Sequence, residues 1–126
     1  MALEIVNVID RGIPDKEHVH LHVAQACNLE FFTLADTSYV APGMISNKLR
    51  HHFWFPKQKA DKGDQVVLVT GHGVNQIVQR NGYRTHIFYW QLGHSIWNDD
   101  GDTAVIFALD GWTSKKVLPR GLRLAA

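Results

Sequence analysis

The sequence predicts an all-β protein, a sandwich or barrel made of one domain across residues 1–126. Two observations carry this. The dominant hydrophobic period is two, not the about 3.6 of a helix. Short apolar runs recur along the chain, each broken by Gly, Pro, Asn or Asp. No segment has a convincing helical repeat; the best helix candidate, Val74 to Arg80, is short.

The elements follow in order. LEIVNVI (3–9) alternates and stops at Arg11-Gly12-Ile13-Pro14. EHVHLHVA (17–24) alternates strictly, so Val19, Leu21 and Val23 face one way and His18, His20 and His22 the other. FFTLAD (31–36) is aromatic and β-branched. Tyr39 to Asn47 contains Pro42-Gly43 and reads as a loop. LRHHFWFP (49–56) places Phe53 and Phe55 on one face and Trp54 on the other, and Pro56 ends it. KQKADKGD (57–64) is a polar connection, and QVVLVTG (65–71) a buried strand. Asn81-Gly82 between VNQIVQR and YRTHIFYW signals a hairpin, because both residue types tolerate φ > 0. TAVIFAL (103–109) reads as a second buried strand, and Asp110-Gly111 as a turn into a strand WTSKKVL (112–118). GLRLAA is a short tail or edge strand.

Size and charge narrow the classes. A chain of 126 residues is long enough for one real core. Its net charge of +1 creates no strong field toward nucleic acid or an acidic membrane. The single cysteine, Cys27, forms no internal disulfide and reads as an incidental or buried thiol. The first residues lack a basic stretch followed by a long apolar one, and no window approaches the about 18 apolar residues of a membrane span. A cytoplasmic location without membrane contact is therefore expected.

Several groups are candidates for chemistry. WNDDGDTA (97–104) offers Asn98, Asp99, Asp100 and Asp102 as oxygen donors, but no Glu follows at the spacing a calcium loop needs. A turn is the simpler reading: Asx side chains bond nearby amides, Gly101 supplies φ > 0, Thr103 opens a strand and Trp97 plugs the sandwich end. On a strand, His18, His20 and His22 sit about 6.8 Å apart at each step and could converge on zinc, with a further ligand from His51, His52, His86 or His94. That is the alternative reading, a metal-dependent hydrolase or metal-binding protein; a solvated polar face is the simpler one. Phe53, Phe55, Phe88 and Phe107 read as core. Trp54, with Arg50 and His52 on its strand and Lys48 and Lys57 nearby, is a candidate partner-binding surface; a surface tryptophan covered by a neighbouring long side chain is the simpler reading. Lys115, Lys116, Arg120 and Arg123 could touch phosphates, a weak signal in a nearly neutral chain. TGHG (70–73) lacks the lysine and following helix of a phosphate loop.

Taken together, these segments resemble the lamin-tail domain family, in its compact bacterial or phage-like form. VHLHV (19–23) and NLEFFTLAD (28–36) stand where the family has V-x-L-x-N and D-L-S-G-W-x-L-x-D. FWFP (53–56), DKGDQVVLV (61–69), TGHG, FYW (88–90) and WNDDGDTAVI (97–106) follow in the family's order. Val23, Phe31 and Phe32 depart from the family's Asn, Gly and Trp. The resemblance spans roughly 3–118 and makes Trp97, Asn98, Asp100, Gly101, Asp102 and Thr103 a fold-signature turn. It implies an immunoglobulin-like β-sandwich of about seven to nine strands. It also implies a non-catalytic interaction or scaffolding module that needs no cofactor. The expected partner is a protein, less so nucleic acid, and edge strands would allow a homodimer by strand addition.

Overall fold

A computed structural model describes residues 1–121. Every regular element among them is a strand, apart from one 3-10 turn at Leu29–Phe31. The strands are β1 (Leu3–Ile9), β2 (His18–Val23), β3 (Cys27–Asn28), β4 (Phe32–Ala41), β5 (Met44–Ile45) and β6 (His51–Trp54). Then come β7 (Lys59–Ala60), β8 (Gln65–Val69), β9 (Gln76–Gln79), β10 (Arg84–Tyr89) and β11 (Asp102–Ala108). No helix among the described residues is long and apolar enough to cross a membrane.

The strands form open sheets. A five-stranded sheet runs β1-β2-β8-β10-β9. In a second sheet β4 is central: β11 lies on one side, and β6 and then β5 lie on the other. A short pair, β3 with β7, forms a third sheet. The chain leaves β8, crosses to the edge as β9, and returns through the Asn81-Gly82 hairpin into β10 between them. This insertion makes β8 and β10 parallel, whereas the other pairs are antiparallel.

Strand parity builds the core. Val19, Leu21 and Val23 of β2 and Val66 and Leu68 of β8 lose their accessible surface. They join Phe32 and Leu34 of β4, with Phe55, Phe88 and Trp97, in one apolar cluster between the two larger sheets. Burying each such side chain contributes about 1.5–3 kcal/mol.

Several segments differ from the sequence expectation. Val74 to Arg80 contains β9 rather than a helix, because pairing with β10 supplies its hydrogen bonds. Residues 39–47 are not a plain loop: β4 runs on to Ala41 and pairs with β5 around Pro42-Gly43, where Gly43 takes φ 74°. The polar connection 57–64 contains β7 and buries Ala60 and Asp64. The Asn81-Gly82 hairpin forms, but only Gly82 takes positive φ, in a four-residue loop closed by Arg80 N–H donating to the Tyr83 carbonyl. β11 is half-buried rather than buried, and Phe107 faces outward instead of filling the core. Residues 112–118 form no strand. The tail residues 122–126, including Arg123, lie outside the described residues.

Candidate docking face

Alternate residues along β6, with Arg50 just before it, carry the predicted partner-binding set. β6 pairs with the first half of β4, with Ala35 opposite His52 and Thr33 opposite Trp54. Directly paired residues share a face, so Arg50, His52 and Trp54 project together from the outer side of the sheet. Phe107 of β11 lies opposite Thr33 on the far side of β4 and joins the same face.

The rings there touch one another. Trp54 meets Trp112 edge-on with centroids 4.9 Å apart, and Phe31 lies 5.5 Å from Trp112. His52 lies 6.2 Å from Phe107. Trp54 stays 50% exposed and Trp112 46% exposed. The Trp54 ring is nevertheless oriented, since its Nε1 donates to the Glu30 carbonyl at 2.7 Å, and Trp112 packs edge-on against it. His52 Nε2 lies 3.1 Å from Thr33 Oγ1. Arg50 is held by Asp102 at 3.4 Å and by Ser38 Oγ at 2.6 Å.

Beside the rings, Ile45, Ser46, Asn47, Leu49 and Phe107 line a depression of about 300 Å³. Beneath this segment the Thr37 hydroxyl sits within bonding distance of the Ser46 and Lys48 carbonyls, at 2.7 and 3.1 Å. The chain between β5 and β6 is thereby tied down over β4. This covers Thr37, which is buried although it points away from the core.

The acidic turn has its predicted local geometry. Gly101 takes φ 89° and Trp97 is buried, while β11 opens at Asp102, one residue before the expected Thr103. The Asp102 carboxylate reaches back three residues, accepting the Asp99 N–H at 2.9 Å, and it also faces Arg50. The Gly101 carbonyl accepts from Tyr39 N–H at 2.8 Å, which fastens the turn to β4. Asp100 is fully exposed and 3.7 Å from Arg11.

His18, His20 and His22 do share the outer face of the five-stranded sheet, but their donors do not converge. Gln65 stands between two of them: its Oε1 is 2.6 Å from His20 Nε2, and its Nε2 is 3.0 Å from His22 Nδ1. The proposed further ligands lie elsewhere. His51 and His52 belong to the other sheet, His86 faces the core, and the His94 ring stands 5.7 Å from that of His51. Among the described residues no group of three or more His, Cys, Asp or Glu side chains is placed to hold a metal ion.

Three buried polar groups are absent from the sequence reading. Glu17 has no exposure and accepts from Gly12 N–H, Thr70 Oγ1, Ser95 Oγ and Ile96 N–H. Burial pushes its carboxyl up, but these bonds outweigh that and hold it below the ordinary carboxylate value. Asp64 is likewise raised by burial and then drawn below its ordinary value by His86 and by the Asp61 and Arg84 amides. Asp36, also buried, accepts the His51 N–H at 2.6 Å and faces His51 Nδ1 at 3.1 Å. Parity was the available signal. Glu17 falls in register with Val19 and Leu21, Asp64 with Val66 and Leu68, and His86 with Phe88. Burial alone raises the Cys27 thiol, which suits an unreactive side chain.

Neither a family model, nor a curated protein, nor a solved structure matches the chain.

Proposed function

We propose that the chain is a non-catalytic interaction module, an immunoglobulin-like sandwich of the lamin-tail type. It docks a protein segment on the outer face of the β4-β6-β11 sheet. The observation that carries this is the fixed aromatic strip of Phe31, Trp54 and Trp112 beside the depression at Leu49 and Phe107. A half-exposed tryptophan already held by a hydrogen bond, as Trp54 is, loses little side-chain entropy on contact, which makes it an effective anchor. The occupant would offer an apolar or aromatic side chain to the depression and polar groups to Arg50 and His52. In support of the fold reading, two open sheets face each other across one core, and eight strands have four or more residues.

Site-specific photocrosslinking tests the proposal. A crosslinker at His52 should trap a discrete partner in cell extract, and Trp54→Ala should abolish the adduct. A crosslinker at Val6, on the other sheet, should not trap it. Adducts that persist with Trp54→Ala, or that form equally from Val6, would reject this face. An adduct of two copies of the chain would assign the face to a homodimer instead. Salt-sensitive gel shifts lost with Trp54→Ala would assign it to nucleic acid.

A further inference from the structure

The outer face of the five-stranded sheet carries a broad groove of about 770 Å³. His18, His20, Gln65, Arg80, Tyr83 and Thr85 supply its polar lining, and no carboxylate lines it. Arg80 Nε donates to Thr85 Oγ1 at 3.3 Å, which fixes the guanidinium by one corner. Among the described residues no carboxylate lies within ion-pair distance of Arg80.

The hydrogen bonds around the histidines determine which of them can gain a proton. The Lys16 carbonyl lies 2.9 Å from His18 Nδ1, and a carbonyl only accepts, so Nδ1 carries the hydrogen and Nε2 keeps its lone pair. The Gly63 carbonyl lies 3.3 Å from Gln65 Nε2 and selects the same amide orientation that places Oε1 on His20. His20 therefore donates through Nε2 and keeps a lone pair on Nδ1. His22 must accept at Nδ1 from the Gln65 amide. Protonating His18 or His20 breaks none of these bonds. Protonating His22 at Nδ1 would set two donors against each other.

No carboxylate on the neighbouring strands stands directly opposite His18 or His20. On β1, Glu4 pairs with His22, whereas Asn7 pairs with His20 and Ile9 with His18. β8 presents Gln65 and Val67 to β2, neither of them ionisable. Thr85 comes from β10, and Arg80 and Tyr83 come from the β9–β10 loop. Lys16 adds a positive charge two residues before His18.

We propose that this groove binds a tetrahedral oxyanion, the phosphate group of a small ester or of a nucleic-acid strand. Arg80 supplies the permanent charge, and His18 and His20 stand beside it, each with a ring nitrogen free to take a second proton without loss of an existing bond. Imidazolium and guanidinium donors to an oxyanion make short, charge-assisted bonds. His22 stays outside the device, locked by Gln65.

Sulfate is the suitable probe, because its own charge is constant over the range in which histidine titrates. Sulfate is titrated into the full chain and followed by amide and imidazole NMR at about pH 7.5 and about pH 5.5. Saturable shifts at His18, His20, Arg80 and Tyr83 are expected, with affinity about tenfold higher at the lower pH. Arg80→Gln should remove binding at both pH values. His18→Gln with His20→Gln should remove the pH dependence and keep the weak binding, and His22→Gln should change neither. Absent or unsaturable shifts, or equal binding at both pH values, would overturn the proposal, as would binding that survives Arg80→Gln. Competition by a sugar phosphate assigns the group to small esters, and competition only by single-stranded oligothymidine assigns it to nucleic acid; either retains the site.

Discussion

Asp64 and His86 face each other at 2.9 Å where neither side chain meets solvent. The carboxylate also accepts from the Asp61 and Arg84 amides, so one side chain ties the start of β8 to the start of β10. These are the two parallel strands, joined only through the detour of β9. Removing the charge while leaving the imidazole buried would strand His86, whose Nδ1 already has no partner. Asp64→Asn is therefore expected to cost about 3 kcal/mol in chemical denaturation. A loss below about 1 kcal/mol would show that the pair does not hold the strands.

Acid should act through the same groups. The folded-state pKa values of Glu17 and Asp64 are both lowered. Their stabilisation is thus fully present above the unfolded-state values, near about 4, and is lost as pH falls through the lower folded values. The melting temperature should decline below about pH 4, and the decline should be shallower in Asp64→Asn, measured by scanning calorimetry.

Glu17 offers a second test. Its two oxygens collect four donors from three separate segments, and a glutamine would turn an NH₂ toward some of them. Glu17→Gln is expected to lose about 2 kcal/mol or more. Proteolysis should then begin in the loops around Gly12 and Ser95. A wild-type melting curve for this variant would contradict the role assigned to the carboxylate.

Gly71 allows the loop before β2 to pass close by. It donates to the Pro14 carbonyl at 2.8 Å, and a Cβ built on it would stand 2.9 Å from that oxygen and closer still to Asp15 Oδ1. Gly71→Ala should destabilise by about 1–3 kcal/mol, whereas Gly111→Ala, where a Cβ meets open space, should be near neutral. Equal effects at the two sites would refute the close-approach argument.

The acidic turn should ignore calcium. Asp102 is committed to the Asp99 amide and Arg50, and Asp100 points into solvent. Millimolar calcium is expected to leave the melting temperature unchanged, and a rise of several degrees would show a cation site.

Much of the strand plan was legible because period-two alternation records burial directly. β1, β2, β8 and the β9–β10 hairpin fall where apolar spacing and Asn81-Gly82 put them. The same rule puts Trp54 on the face away from Phe53 and Phe55, and Trp54 is exposed while those two pack in or against the core. The strand expected over 112–118 is absent, and Trp112 packs instead on Phe31 and Trp54, residues far away in sequence. The histidine strand illustrates the other limit. Alternation placed three imidazoles on one face, but only the β2–β8 register brings Gln65 between them. Glu17 and Asp64 stand at core parity in the sequence, but donors that ring each carboxylate come from distant segments and are set only by the fold.

The ten-residue β4 bears β6 and β5 along one edge and β11 along the other, with Leu34 paired to Ile106. During synthesis, the N-terminal strands and β6 emerge well before β11 does. In that interval one edge of β4 presents unpaired amides and carbonyls beside exposed aromatic rings, a template for the wrong partner. Assembly of the second sheet waits on a contact between distant parts of the chain, which favours slow closure. The same strand that organises the mature sheet is thus the segment most in need of shielding while the chain is still being made.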